Sequence, residues 1–194
     1  MYTLIGGLLL ILGMHSVRIV AEPLRGAAIA RLGLQPWRGV YSLVSLAGIW
    51  LAVSGYAAAR TDSPALYHPP GWAYAVALGL MLVSMILLAA TYVSGTHIRQ
   101  RVAHPMLLGT RAWAFAHLLA NGRLADVVLF GSVLGWSIFA YHAARSRDTA
   151  SGTRYPATGW QRDVVAVSAG VAAWVAIVFY LHPYLAGVPL IAAG

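Results

Sequence analysis

Long apolar runs closed by short polar or proline-glycine breaks constrain this chain more than any other feature. Six of them, Tyr2–Ala21, Gly39–Ala58, Trp72–Gly95, Pro105–Asn121, Leu124–Ala143 and Asp163–His182, approach the ~20 apolar residues that a helix needs to cross a bilayer. The breaks between them carry turn chemistry: Glu22-Pro23, Asp62-Ser63-Pro64, His68-Pro69-Pro70-Gly71, Asn121-Gly122 and Ser151-Gly152. Composition agrees, with 60% hydrophobic residues, 9% charged residues and a mean hydropathy of +0.72. A soluble domain carries about 25% charged residues, so this chain has too few to cover a water-facing surface. The expectation is an all-α integral membrane protein, a six-transmembrane-helix bundle forming a single domain over residues 1–194. The first run lacks a basic start and a small-residue cleavage site, so it reads as a span and not as a signal peptide.

Orientation follows from the arginines, which account for all 13 basic residues. Arg18 lies at the end of the first run and Arg25, Arg31 and Arg38 follow it, Arg99 and Arg101 follow the third, and Arg145, Arg147, Arg154 and Arg162 the fifth. These stretches share one side, and by the positive-inside rule that side is cytoplasmic. Both termini are then expected to be periplasmic in a bacterial inner membrane. Placed this way, the net charge of +8 sets orientation, and no nucleic-acid motif competes with that reading.

What the chain lacks also narrows its chemistry. It has no Cys, which excludes disulfides, thiolate metal sites, iron–sulfur clusters and covalent c-type haem. Its five acids, Glu22, Asp62, Asp126, Asp148 and Asp163, fall at span ends or in breaks. A carboxylate di-iron centre or proton relay needs acids inside the spans, so both are disfavoured.

The seven histidines are the main chemical signal. His68 and His182 lie toward the outer side, and His97, His104 and His142 near the cytoplasmic ends. Three neutral imidazoles could bind zinc or iron, or simply cap helices at the interface. Only His15 and His117 lie well inside spans. Counted from Arg25 and Pro105 at 1.5 Å per residue, they sit ~15 and ~18 Å from the same boundary. Two readings stay open: a pair clamping haem b from its two faces, or two imidazoles each bonded to a neighbouring hydroxyl or carbonyl. Arg18, one turn from His15, would suit a haem propionate, and Arg111 has a weaker claim because it is 120° around from His117. Both arginines could instead snorkel to the headgroups. Thr110, Trp113 and Ala114 share the His117 face. Trp50, Trp113, Trp136 and Trp174 lie mid-span, packed between helices or walling a flat ligand.

Several stretches resemble a known family. His104-Pro105-Met106-Leu107-Leu108-Gly109, Trp113-Ala114-Phe115-Ala116-His117-Leu118-Leu119-Ala120-Asn121-Gly122, Gly13-Met14-His15-Ser16 and the Asp126–Trp136 run look like the NnrU signature. That resemblance implies a multi-span bacterial membrane protein linked to denitrification and nitric oxide metabolism. The same family includes the 15-cis-zeta-carotene isomerases, which bind haem b between two histidines. Those positions fall on His15 and His117, so the alternative function implied is haem-dependent isomerisation of a lipophilic polyene. The plant enzyme's alternative Cys ligand is Ala114 here, a departure that removes its redox switch while leaving haem binding untouched. In either chemistry one axial histidine must leave the iron. His15 is the expected one, because Gly6, Gly7 and Gly13 make its helix easier to shift. Membrane methyltransferases carry a comparable His-Pro motif but also need an Arg, a Tyr and paired glutamates. The run at Ala103–Gly109 lacks the first two and the chain has one Glu, so methyl transfer is rejected.

Overall fold

The computed structural model describes residues 1–187 and residue 190, with the side chains of residues 185 and 186 outside the description. These residues form an all-helical membrane bundle: α1 (Tyr2–Val20), α2 (Glu22–Leu32), α3 (Leu34–Asp62), α4 (Gly71–Tyr92), α5 (His97–Val102), α6 (Pro105–Ala120), α7 (Leu124–Ser151), α8 (Trp160–Ala176) and α9 (His182–Ala186). A π-helical turn, Ile177–Leu181, joins α8 to α9 in one continuous rod. The elements are ordered laterally: α1 lies along α3, both touch α7, α7 packs on α6, α6 on α4, and α4 on α8.

Among the described residues, five rods are long and apolar enough to span a bilayer, so six such spans are not confirmed: α1, α3, α4, α7 and the α8–α9 rod through Tyr184. The expected fourth span is α6, and it has only 16 residues. Pro105 occupies its first turn, where the missing N–H costs nothing, and Asn121 turns extended to end it. At 1.5 Å per residue α6 reaches ~24 Å, short of the ~30 Å hydrocarbon core. Other boundaries shift for related reasons. Residues 22–32 and 97–102 have no apolar run, so hydropathy leaves them as breaks, yet they form α2 and α5. Gly33, at φ 87°, ends α2 in a backbone conformation that other residues adopt only with strain. Thr96 caps α5 by accepting the Arg99 N–H at 3.0 Å. Helix α7 continues past its apolar run to Ser151, where Gly152 takes the left-handed conformation.

Small residues bring the helices together, as expected where lipid offers no hydrophobic driving force between spans. Gly7 and Gly55 of the α1–α3 pair meet backbone atoms of Ala52 and Leu4, and a Cβ on Gly48 would lie 2.8 Å from the Ile11 nitrogen. Ser84 of α4 donates to the Gly109 carbonyl of α6 at 2.8 Å, and Trp174 of α8 donates to the Leu78 carbonyl of α4 at 3.1 Å.

A polar clasp joins the loop after α3 to the turn between α6 and α7. Leu66 N–H donates to the Gly122 carbonyl at 2.7 Å, Leu124 N–H to the Pro64 carbonyl at 2.9 Å, and the Tyr67 hydroxyl reaches the Leu118 and Asn121 carbonyls. Asp126, 2% exposed, starts α7 by accepting the Arg123 N–H at 2.9 Å and the Tyr56 hydroxyl of α3 at 2.6 Å. Tyr56→Phe leaves a buried carboxylate oxygen short of a donor. It is expected to lower stability by about 1–2 kcal/mol, measured by unfolding in mixed micelles. An unchanged midpoint would show that the bond does not tie α3 to α7.

Candidate functional site

His117 lies one turn from the outer end of α6. Its Nδ1 bonds the Trp113 carbonyl at 2.8 Å, four residues back on the same helix. The ring stacks on Phe130 of α7, with centroids 4.5 Å apart, and lies 4.8 Å from Trp113. Asp126 and His182 are among the titratable groups whose electrostatics bear on His117. Sequence reading assigned neither to this site. The sequence placed Asp126 only among the acids at span ends or in breaks, and His182 only toward the outer side.

His15 repeats the arrangement on α1. Its Nδ1 bonds the Ile11 carbonyl at 2.8 Å, again four residues back. Its ring is 5.2 Å from Tyr41 of α3 and edge-on to Trp136 of α7 at 5.9 Å. Trp136 also donates to the hydroxyl of Ser16 at 3.1 Å, locking this part of α1 onto α7. His15 lines a cleft of ≈ 320 Å³ with Met14, Val17, Arg18, Arg25, Leu34, Trp37, Arg38 and Tyr41.

A carbonyl accepts only from a protonated nitrogen, so each Nδ1 carries a proton, and in the neutral ring Nε2 then keeps its lone pair. Among the described residues no hydrogen bond claims either Nε2. This is the tautomer that metal-ligating histidines adopt, with the second nitrogen fixed on a carbonyl. The donor chemistry therefore fits haem iron, and the two readings of the histidines turn out to be compatible on one ring.

The common depth inferred for the two histidines needs correcting. The chain turns at Ala21, so His15 is five residues from the end of α1, or ~7.5 Å. Along α7, His15 is level with Trp136 and His117 with Phe130, six residues and ~9 Å apart. Among the described residues α1 and α6 do not pack on each other; α7 touches both.

The remaining expected site residues divide. Trp113 joins His117, and Arg18 joins His15 in the cleft. Arg111 joins neither. Its guanidinium lies 5.1 Å over the Tyr141 ring, and Nη2 is 3.5 Å from the Ser137 carbonyl. Ala114 is fully buried, and Trp50, 69% exposed, faces outward and lines no site.

His97, His104 and His142 form no metal cluster among the described residues. Acids that the sequence placed in a break or at a span end partner two of them. His97 Nδ1 is 2.7 Å from Asp163, and His104 Nε2 is 2.8 Å from Asp148. Asp148 also accepts the Tyr155 hydroxyl at 3.1 Å. Burial and that hydrogen bond push the Tyr155 phenol above its ordinary pKa, so it keeps its proton and donates at neutral pH. His104→Ala is expected to cost about 1–3 kcal/mol by leaving Asp148 short of a partner. It should also expose residues 152–159 to protease, and unchanged cleavage would remove His104 from that tie.

The fold and the site thus define a multi-span helical membrane protein with two carbonyl-anchored imidazoles facing a shared central helix. The family model described as NnrU protein matches residues 3–190, and this chain belongs to the NnrU family. No curated protein and no solved structure matches it.

Proposed function

We propose that this NnrU protein is a haem b-binding membrane protein serving nitric oxide metabolism, with the Nε2 atoms of His15 and His117 as the axial donors. The observation that carries this reading is the matched anchoring of both rings. Each Nδ1 is held by a carbonyl at 2.8 Å, which leaves Nε2 as the donor in both. Bound haem supplies a redox-active iron able to take a diatomic ligand. His117 is the fixed donor, wedged between Trp113 and Phe130. His15 borders an open cleft and is the donor free to swing. Glycine-given mobility of α1 does not support that role, because Gly7 is packed against the Ala52 backbone. A swing of the His15 side chain within the cleft serves instead.

The experiment is the absorption spectrum of protein purified from haem-replete cells, before and after reduction and then with nitric oxide. A Soret band that shifts with nitric oxide supports the proposal, and a colourless preparation ends it. Adding a poly-cis carotene to the reduced protein tests the isomerase alternative by product analysis.

The same proposal takes α6 as a short sixth crossing, because it packs on α7 and joins it through the tight turn at Asn121–Arg123. Six crossings place both termini on one side, the periplasmic side of the inner membrane by the arginine bias. Reporter fusions at Met1 and Gly194 should both give periplasmic signals. Signals from opposite sides would leave α6 as a buried, non-crossing helix.

A further inference from the structure

The cleft beside His15 holds more positive charge than the one haem propionate that Arg18 would suit. Arg18 of α1, Arg25 of α2 and Arg38 of α3 converge on its walls, brought together by the turns at Ala21 and Gly33. Glu22 pairs with Arg25 at 2.8 Å. Arg18 and Arg38 have no hydrogen bond or ion pair among the described residues. The cleft thus presents about two uncompensated positive charges, the complement of a phosphomonoester, which carries −1.5 to −2 at neutral pH. Guanidinium groups arriving from three helices suit a tetrahedral anion, to which each can offer paired N–H donors.

The surroundings say where that anion comes from. The cleft opens on the arginine-rich face of the bundle, and Trp37 and Tyr41, the amphipathic residues of a membrane interface, form one wall. Leu34, exposed, and Met14 and Val17 line it and offer apolar surface beside the charges. We propose that this cleft binds the phosphomonoester head of an anionic membrane amphiphile, held by Arg18, Arg25 and Arg38, with Trp37 at its neck.

The test uses the full chain in phosphatidylcholine nanodiscs and reads Trp37 fluorescence as the difference between wild type and Trp37→Phe. Brominated phosphatidate, a phosphomonoester, is compared with brominated phosphatidylglycerol, a diester, at equal total headgroup charge. The expected result is roughly tenfold enrichment of phosphatidate near Trp37, the size of one charge-assisted hydrogen bond. The double substitution Arg18→Gln/Arg38→Gln should abolish it. Both residues are exposed, so the fold should persist, and helicity and the unfolding midpoint check that it does. Inorganic phosphate forms a separate arm. If it changes Trp37 fluorescence by an amount that the double substitution removes, while the two lipids quench alike, the same site takes the free anion. Equal quenching by both lipids with no phosphate response overturns the proposal and leaves ordinary surface electrostatics. A double variant that loses haem but keeps its lipid preference overturns it too, and assigns the arginines to the propionates. Because lipid selectivity is read without the Soret band, failure here and failure of the haem proposal are separable.

Discussion

Protein carrying His117→Ala is expected to purify with its Soret absorbance cut by roughly tenfold or more, since losing a group that merely orients a metal ligand already costs 10–100-fold in affinity. His117 is the donor with least freedom to be replaced. Its ring is fixed by the Trp113 carbonyl and stacked on Phe130, so no neighbouring side chain can slide into its place without disturbing α7. His15→Ala should behave differently. The cleft gives water or added imidazole access to the vacated position, so haem is expected to stay while its visible bands change, and imidazole should restore them. His68→Ala, in an exposed break, should leave the spectrum unchanged. Identical spectra for wild type and His117→Ala would remove His117 from the iron and with it the paired-donor proposal.

The second large effect concerns the α1–α3 seam. Gly55→Val places its branched side chain against the backbone of Leu4, where only movement of a whole helix can make room. The expected cost is roughly 3 kcal/mol or more, at the upper end of overpacking penalties. Loss of helicity at lower denaturant, and loss of the cleft that α1 and α3 build together, should accompany it. Gly13→Ala is the control on the same helix, because a Cβ there meets nothing within 4 Å. It is expected to be neutral or to stabilise by up to ~1 kcal/mol through helix propensity. If both substitutions behaved alike, close backbone approach would not be what holds α1 to α3.

These expectations divide by their source. The sequence carried the membrane class, the span cores and the histidines worth testing. Each of those rests on local chemistry: apolar runs of bilayer length, proline and glycine at the breaks, ionisable rings where ionisable rings are costly. It also carried Pro105 and Asn121, yet hydropathy alone passed over how short these residues make α6. It carried Gly7 too, but composition cannot say whether a glycine loosens a helix or lets another backbone touch it, and here it does the second.

Tertiary structure alone decided which groups meet. The turn at Ala21 moved His15 toward the helix end and swung Arg25 back to face Arg18 and Arg38. Asp148 and Asp163, placed by the sequence in a polar break and at a span end, became partners of His104 and His97, 44 and 66 residues away. The physical reason is common to all of these. Helical periodicity and hydropathy act over a few residues and fix what each segment is. Which faces come together is set by close packing between segments distant in the chain, where one Cβ or one buried carboxylate selects the arrangement.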